Sequence, residues 1–179
     1  MKKIYLVMSQ TGTIISIILK LVTKKEYNHI SLALDRNLSK MYSFGRKWAY
    51  NPFVGVFVIE DINKGTFKRF KNTTCRVIEI SVTEIQYEQV CNKINKMVSE
   101  CDKYTYNLLG LLLASINIEY HQNNKFYCSE FVRYILTSSN IDTSVIPNIA
   151  HPVDFLNMDN NDVLYEGLLT SYRKSLVRK

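Results

Sequence analysis

Short apolar runs and two-residue alternation dominate the first half of the chain and predict β-strands there. Along residues 28–34, for example, the apolar side chains at 30, 32 and 34 would share one face of a strand. Residues 61–65 are typical of a turn, and residues 45–52, which include the only tryptophan, are predicted as a loop. The predicted strands span residues 4–8, 28–34, 40–44, 55–60 and 75–82, with residues 66–70 as a further option.

Two of these strands are predicted to form a hairpin, because Asp35-Arg36-Asn37 is typical of a turn. If the hairpin is centred on Arg36, residues at equal distances from the centre face each other. His29 and Ser43 both lie seven positions from Arg36, so the sequence predicts that their side chains are directly opposed. A one-residue change of register would separate them.

Apolar spacings of three and four predict helices elsewhere. Residues 14–23 fit a core helix better than an amphipathic membrane helix, because their polar face is not rich in Lys or Arg. Thr83 and Gln86 form a capping-box pattern that opens a helix ending near residue 101. The side chains of that helix expected to be buried are Tyr87, Val90, Ile94, Met97 and Cys101.

The remaining segments complete one α+β domain over residues 1–179, since no repeat, low-complexity tract or linker interrupts the chain. Residues 104–116 are apolar all round in their centre, which predicts either a fully buried helix or the wall of an apolar pocket. A further helix is predicted after Cys128. Residues 141–149 are expected to form a loop, residues 151–156 a short helix with Pro152 at its first position, and residues 163–170 a final strand.

Composition excludes several classes of protein. Of the 179 residues, 46% are hydrophobic and 22% are charged, as in ordinary globular proteins. The net charge of +7 is not interleaved with aromatic residues on one element, so we expect no nucleic-acid partner. Ser9-Gln10-Thr11-Gly12 interrupts the N-terminal apolar run, and the next run is too short to span a bilayer. We therefore expect a cytoplasmic protein without stable membrane insertion, whose charge still allows peripheral contact with anionic surfaces.

The cysteine and histidine spacings predict no metal site and no cofactor. No Cys-x-x-Cys pair occurs, and no Cys/His spacing fits a zinc finger. Cys75, Cys91 and Cys101 lie in predicted strands or helices, so we expect them to be core thiols in a reducing compartment. His121 lies in a polar loop and is expected to be solvated, whereas His151 is expected to cap or pack at a helix start.

Cys128 differs from the other cysteines because it lies where a polar loop, residues 121–125, leads into a helix. Unpaired backbone N–H groups and the positive end of the helix dipole stabilise a thiolate at such a position. A thiolate is the nucleophile of cysteine hydrolases, which also need a histidine base and a polar group that orients it. Cys128, His29 and Ser43 would form this set in the papain arrangement with inverted chain order. The alternative is that Cys128 is simply a small buried hydrophobic residue.

The stretches YNHISLAL at 27–34, MYSFG at 41–45 and YCSEFV at 127–132 resemble the circularly permuted papain-fold amidases of the YiiX/YaeF type, within the NlpC-like superfamily. The similarity extends from about residue 4 to residue 156. It implies an NlpC-like fold in which an antiparallel sheet or barrel packs against helices. It also implies that Cys128 is the nucleophile and His29 the base, with Ser43 where many relatives have a Glu or His.

The resemblance implies a cysteine amidase or peptidase that acts by acyl transfer without a cofactor. Its substrate would be a small molecule, a peptide or a lipid-like compound that contains an amide or ester bond. Two alternatives remain open from the sequence. One is a lipid acyltransferase or thiolesterase of the same fold, which the Leu-rich segment 108–113 favours. The other is a catalytically inactive binding module.

Overall fold

The computed structural model describes residues 1–12, 21, 24–48, 51–159 and 161–177. Over these residues the chain is α+β, as predicted, and its strands form one open sheet of eight. The strands are β1 (Lys2–Gln10), β2 (His29–Ala33), β3 (Met41–Trp48), β4 (Asn51–Glu60), β5 (Thr74–Val82), β6 (Thr105–Tyr106), β7 (Lys125–Phe126) and β8 (Asn161–Leu168).

The sheet is almost entirely antiparallel. Its strand order is β7-β6-β4-β3-β2-β1-β5-β8, and only the short pair β6 and β7 is parallel. The described helices are α1 (Gly65–Arg69), α2 (Glu84–Ser99), α3 (Leu108–Ala114), α4 (Cys128–Ser138) and α5 (Tyr172–Leu176), with 3₁₀ segments at Cys101–Lys103, Pro152–Asn157 and Leu169–Ser171. The predicted helix at residues 14–23 falls almost entirely outside the described residues.

Apolar residues pack on both faces of the sheet, which explains why β1 is an unbroken apolar run. The larger cluster lies on the face covered by α2 and α4, and it includes Ile4, Leu6 and Met8 of β1. The smaller cluster takes the alternate residues Tyr5 and Val7, together with residues of α1 and α5. A strand that is buried on both faces cannot show two-residue alternation in its sequence.

Aromatic packing fixes α4 on the sheet. The Phe131 ring of α4 lies 5.5 Å from that of Phe44 in β3 and 5.7 Å from that of Phe57 in β4. Phe126 of β7 also packs against Phe44, at 5.4 Å between centroids. Such edge and tilted ring pairs add to the free energy of apolar burial. The N-terminus of α4 is therefore held in a defined position relative to the strands.

The register of the β2–β3 hairpin differs from the prediction. Leu32 pairs with Tyr42, which centres the hairpin on residue 37 instead of Arg36. The predicted opposition of His29 and Ser43 is therefore wrong.

The loop of this hairpin explains the different register. The Asp35 carboxylate accepts hydrogen bonds from the backbone N–H of Ser39 at 3.1 Å and from its hydroxyl at 2.9 Å. Leu38 has a left-handed backbone with φ of 52°, and its side chain is fully buried. Leucine rarely adopts this conformation, which asparagine adopts more readily. Burial of the Leu38 side chain offsets the strain, and the loop extends further than a tight turn.

Two other predicted elements are wrong, and for a third the structure rules out one of its two alternatives. The segment 45–52 is mostly strand, because β3 continues to Trp48 and β4 begins at Asn51. Residues 66–69 are helical where a strand was an option, since Gly65 turns the chain with φ of 52° and only Phe67 of α1 is buried. The helix within 104–116 is short and not fully buried, because Leu109 and Leu112 are about half exposed.

The predicted helix starts are confirmed where local capping chemistry sets them. Thr83 and Gln86 make both hydrogen bonds of a capping box at the start of α2. In α2 the buried side chains are Val90, Ile94 and Met97. All four cysteines have free thiols, but only Cys75 and Cys128 are buried. The expectation that Cys101 is a core thiol is wrong, because it is exposed beyond the end of α2, and Cys91 is only partly buried.

Candidate active site

Cys128 is the first residue of α4, as the sequence predicts, and it is buried. The preceding residue, Tyr127, has an extended backbone with φ of −96° and ψ of 171°, so the helix begins abruptly at the cysteine. The first N–H groups of a helix have no partner within it. The backbone N–H of Cys128 is therefore available to an oxygen atom that approaches the sulfur.

Hydrogen bonds on three sides hold this helix start. The Glu130 carboxylate accepts the backbone N–H of Tyr127 at 3.2 Å. The Ser129 hydroxyl donates to the carbonyl oxygen of Ala150 at 2.6 Å, and both residues are buried. The Cys128 sulfur lies 3.9 Å from the carbonyl oxygen of Asn28, the residue before β2. Together these contacts place the sulfur at the beginning of the β2 strand.

His29 and Glu60 form a mostly buried ion pair on the sheet. His29 is the first residue of β2 and Glu60 is the last residue of β4. The His29 Nε2 atom lies 3.0 Å from Oε1 and 3.1 Å from Oε2 of Glu60. Only 16% of the His29 side chain and 15% of the Glu60 side chain are exposed. The Ser31 hydroxyl donates a hydrogen bond to the same carboxylate.

The Cys128 side chain lies near the same imidazole and contributes to its raised pKa. Since Nε2 faces Glu60, we assign the contact with the sulfur to Nδ1. Sulfur, imidazole and carboxylate therefore follow one another, with the histidine between its two partners. A carboxylate on one ring nitrogen fixes the orientation and tautomer of the ring, which leaves the other nitrogen to exchange a proton with the thiol.

The surroundings of His29 favour its charged form. Burial acts to lower the pKa of His29, because it penalises the imidazolium. The negative charge of Glu60, the hydrogen bonds with Cys128 and Glu60, and the charge of Cys128 outweigh burial and raise this pKa to about 10. An imidazolium next to the sulfur stabilises negative charge on it.

Ser43 is not part of this arrangement. Its side chain is fully buried, and its hydroxyl donates to the carbonyl oxygen of Ile30 at 2.7 Å. The residue that orients His29 is Glu60, which the sequence analysis did not single out. Glu60 reaches His29 from β4, two strands away in the sheet.

Gly45 provides room for this contact between non-adjacent strands. A Cβ atom at position 45 would lie 3.8 Å from Cε1 of His29 and 3.7 Å from Oε1 of Glu60. It would also lie 3.3 Å from the nearest Val58 methyl group, which is tighter than an ordinary contact. The lack of a side chain at Gly45 therefore keeps the space beside the His29–Glu60 pair open.

A mainly apolar cleft opens beside Cys128. We call it the cysteine cleft; its walls include Leu111 and Ala114 of α3, Tyr127, and the segment from Ala150 to Pro152. This position of α3 agrees with the second alternative for segment 104–116, the wall of an apolar pocket. A more polar groove, with Lys25, Asn117 and Asp154 among its residues, shares Ser115 and His151 with the cleft.

The wall between α3 and α4 is held by a polar network centred on Glu130. The Asn107 side chain caps α3 by accepting the Gly110 N–H at 2.9 Å, and it donates to Glu130 at 3.4 Å. His121 is half exposed, as expected for a loop residue, but it is also hydrogen-bonded to Glu130 and to Glu119. The hydrogen bond to Glu130 raises the pKa of His121.

Within the described part of the chain, no group of three or more His, Cys, Asp or Glu side chains could hold a metal ion. Among the same residues, no helix has both the length and the apolar character needed to cross a membrane. Comparisons with protein-family models, curated proteins and solved structures find no match for this chain. The function must therefore be argued from the site itself.

Proposed function

We propose that the protein is a cysteine hydrolase that cleaves amide or ester bonds by nucleophilic acyl transfer. The observation that carries this proposal is the sequence of contacts from Cys128 to His29 to Glu60 at the start of a helix. A nucleophile, a base within hydrogen-bond reach and a group that orients the base are the parts that such catalysis requires. Cys128 is the nucleophile, His29 the base and Glu60 the positioning residue.

In the first half of the reaction, the Cys128 sulfur attacks the carbonyl carbon and the C=O electron pair moves to the oxygen. The Cys128 N–H donates a hydrogen bond to this oxyanion, an interaction that contributes roughly 3 kcal/mol per donor in known enzymes. The oxyanion collapses, the bond to the amine or alcohol breaks, and the His29 imidazolium gives the leaving group its proton. A thioester on Cys128 remains.

In the second half, neutral His29 takes a proton from water, and the oxygen of that water attacks the thioester carbonyl. Collapse of the second oxyanion breaks the carbon–sulfur bond and releases the acid. The sulfur and His29 then hold one proton between them again, as at the start. Glu60 stays ionised throughout and stabilises the imidazolium whenever it forms.

We also propose that the chain is a permuted papain-fold protein of the YiiX/YaeF type. Supporting this are the order of the segments, histidine strand before cysteine helix, and the packing of α4 against β2 and β3. The chain departs from the family pattern at position 43, where it has a serine, and Glu60 compensates for this difference. It supplies the carboxylate that many relatives have, but from the strand after the one that carries Ser43.

The proposal is tested by the pH dependence of Cys128 alkylation with iodoacetamide, followed by mass spectrometry of each cysteine. Cys91 and Cys101 are more accessible than Cys128, so exposure alone predicts that they react faster. We expect Cys128 to react fastest below pH 8 and to lose this advantage in His29→Ala. If Cys128 reacts no faster than Cys101, or equally fast without His29, an inactive binding module becomes the better hypothesis.

A lipid acyltransferase or thiolesterase is the second candidate, and α3 is the observation that favours it. Leu109, Leu112 and Ile116 follow a helical spacing and are each about half exposed, while Leu111 and Ala114 line the cysteine cleft. The rate of p-nitrophenyl ester turnover as a function of acyl length separates the two candidates. A rate that rises from acetate to decanoate favours lipid chemistry, and a rate that falls favours a small or peptide-like acyl group.

A further inference from the structure

The cysteine cleft is lined by a histidine that the proposed mechanism does not use. His151 lies between Ala150 and Pro152, and it lines both the cysteine cleft and the polar groove. Ala150, the residue before His151, accepts a hydrogen bond from Ser129 in the first turn of α4, at 2.6 Å. Ala150 is adjacent to His151 and Ser129 is adjacent to Cys128, so this buried contact sets the position of His151 relative to Cys128.

The hydrogen bonds of His151 with Asp154 are made by its backbone N–H and C=O groups. Its backbone N–H donates to Asp154 at 2.7 Å, but its side chain makes no capping hydrogen bond to the 3₁₀ segment that follows. Burial lowers the pKa of His151, and among the charged groups near it Asp154 raises this pKa while Lys25 lowers it further. A neutral imidazole has one N–H donor and one acceptor, and the His151 side chain lines the cleft.

Two of the other hydroxyl groups in the cleft are already committed. The Ser129 hydroxyl donates to Ala150, and the Ser115 hydroxyl donates to the carbonyl oxygen of Leu112 at 2.7 Å. Tyr127, next to Cys128 on the same wall, keeps its hydroxyl as a competing donor. Of the described residues that line the cleft, only His151 carries an imidazole.

We propose that the imidazole N–H of His151 is the second hydrogen-bond donor to the carbonyl oxygen that Cys128 attacks, beside the Cys128 backbone N–H. This inference rests on the proposed hydrolase function. Both residues line the same cleft, so a second donor adds to the stabilisation of the developing oxyanion, and a neutral histidine donates without giving up its proton. The other ring nitrogen takes no part in this step.

Two reactions of the same sulfur separate this role from a structural one. Iodoacetamide is attacked at a saturated carbon, where a carbon–sulfur bond forms and iodide leaves, so no oxyanion develops. With p-nitrophenyl acetate, the sulfur adds to the carbonyl, an oxyanion forms, and p-nitrophenolate leaves as the acetyl thioester is made. A donor to the oxyanion accelerates only the second reaction, whereas a residue that holds the site together affects both.

The experiment compares both rates at pH 7 in the full-length chain for His151→Leu, His151→Gln and Tyr127→Phe. We expect His151→Leu to slow acetylation of Cys128 by roughly 10²-fold, the effect of one oxyanion donor, and to change alkylation less than twofold. Glutamine retains an N–H donor, so His151→Gln should recover much of the acetylation rate. Thr83→Ala, which removes a hydroxyl that caps α2 away from the cleft, is the control and should change neither rate.

Three results would overturn the inference. Acetylation that is unchanged in His151→Leu, or slowed only in Tyr127→Phe, assigns the donor elsewhere. Equal slowing of both reactions in His151→Leu and His151→Gln assigns His151 a structural role. If wild-type Cys128 reacts with iodoacetamide no faster than Cys101, the proposed function fails and this inference fails with it. Rapid alkylation in the wild type with normal acetylation in His151→Leu defeats only the inference.

Discussion

At the scale of single residues, the charge on Glu60 decides the state of His29. A histidine that is mostly buried without a partner would be neutral, because burial disfavours the imidazolium. Glu60 reverses this balance through its charge and its hydrogen bond to Nε2. A hydroxyl, such as the one predicted at Ser43, could accept the same hydrogen bond but could not offset the positive charge. The carboxylate therefore explains how a protonated His29 is stable beside the sulfur.

Replacing Glu60 by glutamine tests this argument. Glu60→Gln keeps a hydrogen-bond acceptor and nearly the same volume but removes the charge, so the pKa of His29 should fall towards or below its ordinary value. With less imidazolium beside the sulfur, we expect Cys128 to be alkylated at pH 7 at least about tenfold more slowly than in the wild type. The measurement is the iodoacetamide rate at Cys128 between pH 5 and pH 9.

Glu119→Gln is the matched control for this substitution. Glu119 is also hydrogen-bonded to a histidine, His121, but that histidine is half exposed and not in contact with Cys128. The Glu119→Gln substitution should leave the rate of Cys128 alkylation within twofold of the wild type. Equal rates in Glu60→Gln and the wild type at pH 7 would contradict the electrostatic role of Glu60.

At the scale of secondary structure, elements whose signals are local could be predicted from the sequence. The first residue of α4 and the capping box at Thr83 depend on contacts within a few residues, and both predictions are confirmed. The position of His29 at the start of a strand is also confirmed. Cys128 and His29 could therefore be found as a candidate pair without any knowledge of the sheet.

Glu60 could not be found in the same way, because its contact with His29 depends on two successive strand registers. The β2–β3 register was misplaced by a loop that the buried Leu38 extends. The β3–β4 hairpin was hidden because Gly45 and Pro52 suggested a loop where strand pairing continues. Errors of register accumulate across a sheet, so a contact between non-adjacent strands is the least predictable part of such a site.

The hydrogen bond from Ser129 to Ala150 connects the α4 start to the loop that carries His151, and its removal provides an element-scale prediction. Ser129→Ala leaves the buried Ala150 carbonyl without this partner, which should lower the free energy of unfolding by about 1–3 kcal/mol. Because the same contact positions both walls of the cleft, we also expect slower acetylation of Cys128 by p-nitrophenyl acetate. Urea unfolding and the acetylation rate are the two measurements.

Thr83→Ala is the control for that prediction. It removes the side-chain cap of α2, whose expected contribution is about 1 kcal/mol, at a helix start that does not line the cleft. It should destabilise the protein while leaving the acetylation rate unchanged. A Ser129→Ala variant that loses stability but acetylates at the wild-type rate would mean that the contact supports the fold alone.

At the scale of the whole molecule, the site combines groups from both faces of the sheet. Cys128 belongs to the core cluster under α2 and α4, whereas the His29 ring lies 6.5 Å from that of Phe67 in the opposite cluster. Because His29 is the first residue of its strand, its ring can approach groups from both faces. The two cores together exclude most solvent from the His29–Glu60 pair, which strengthens its electrostatic interaction.

Because folding changes the pKa of His29, the stability of the protein should depend on pH. The folded-state pKa of His29 is raised, so its contribution to stability is complete below the unfolded pKa near 6.5 and is lost as pH rises towards about 10.

The test uses Cys128→Ala, because a thiol that releases its proton to His29 would cancel the change in proton count. In that background, the free energy of unfolding relative to Cys128→Ala/His29→Gln should fall between pH 6.5 and 9, by at most about 1.4 kcal/mol per pH unit. His121 is common to both proteins and cancels in the difference, and His151, whose pKa is lowered, affects stability only at lower pH. A difference that stays constant across this range, or grows with pH, would show that His29 is not held in its protonated form by Glu60.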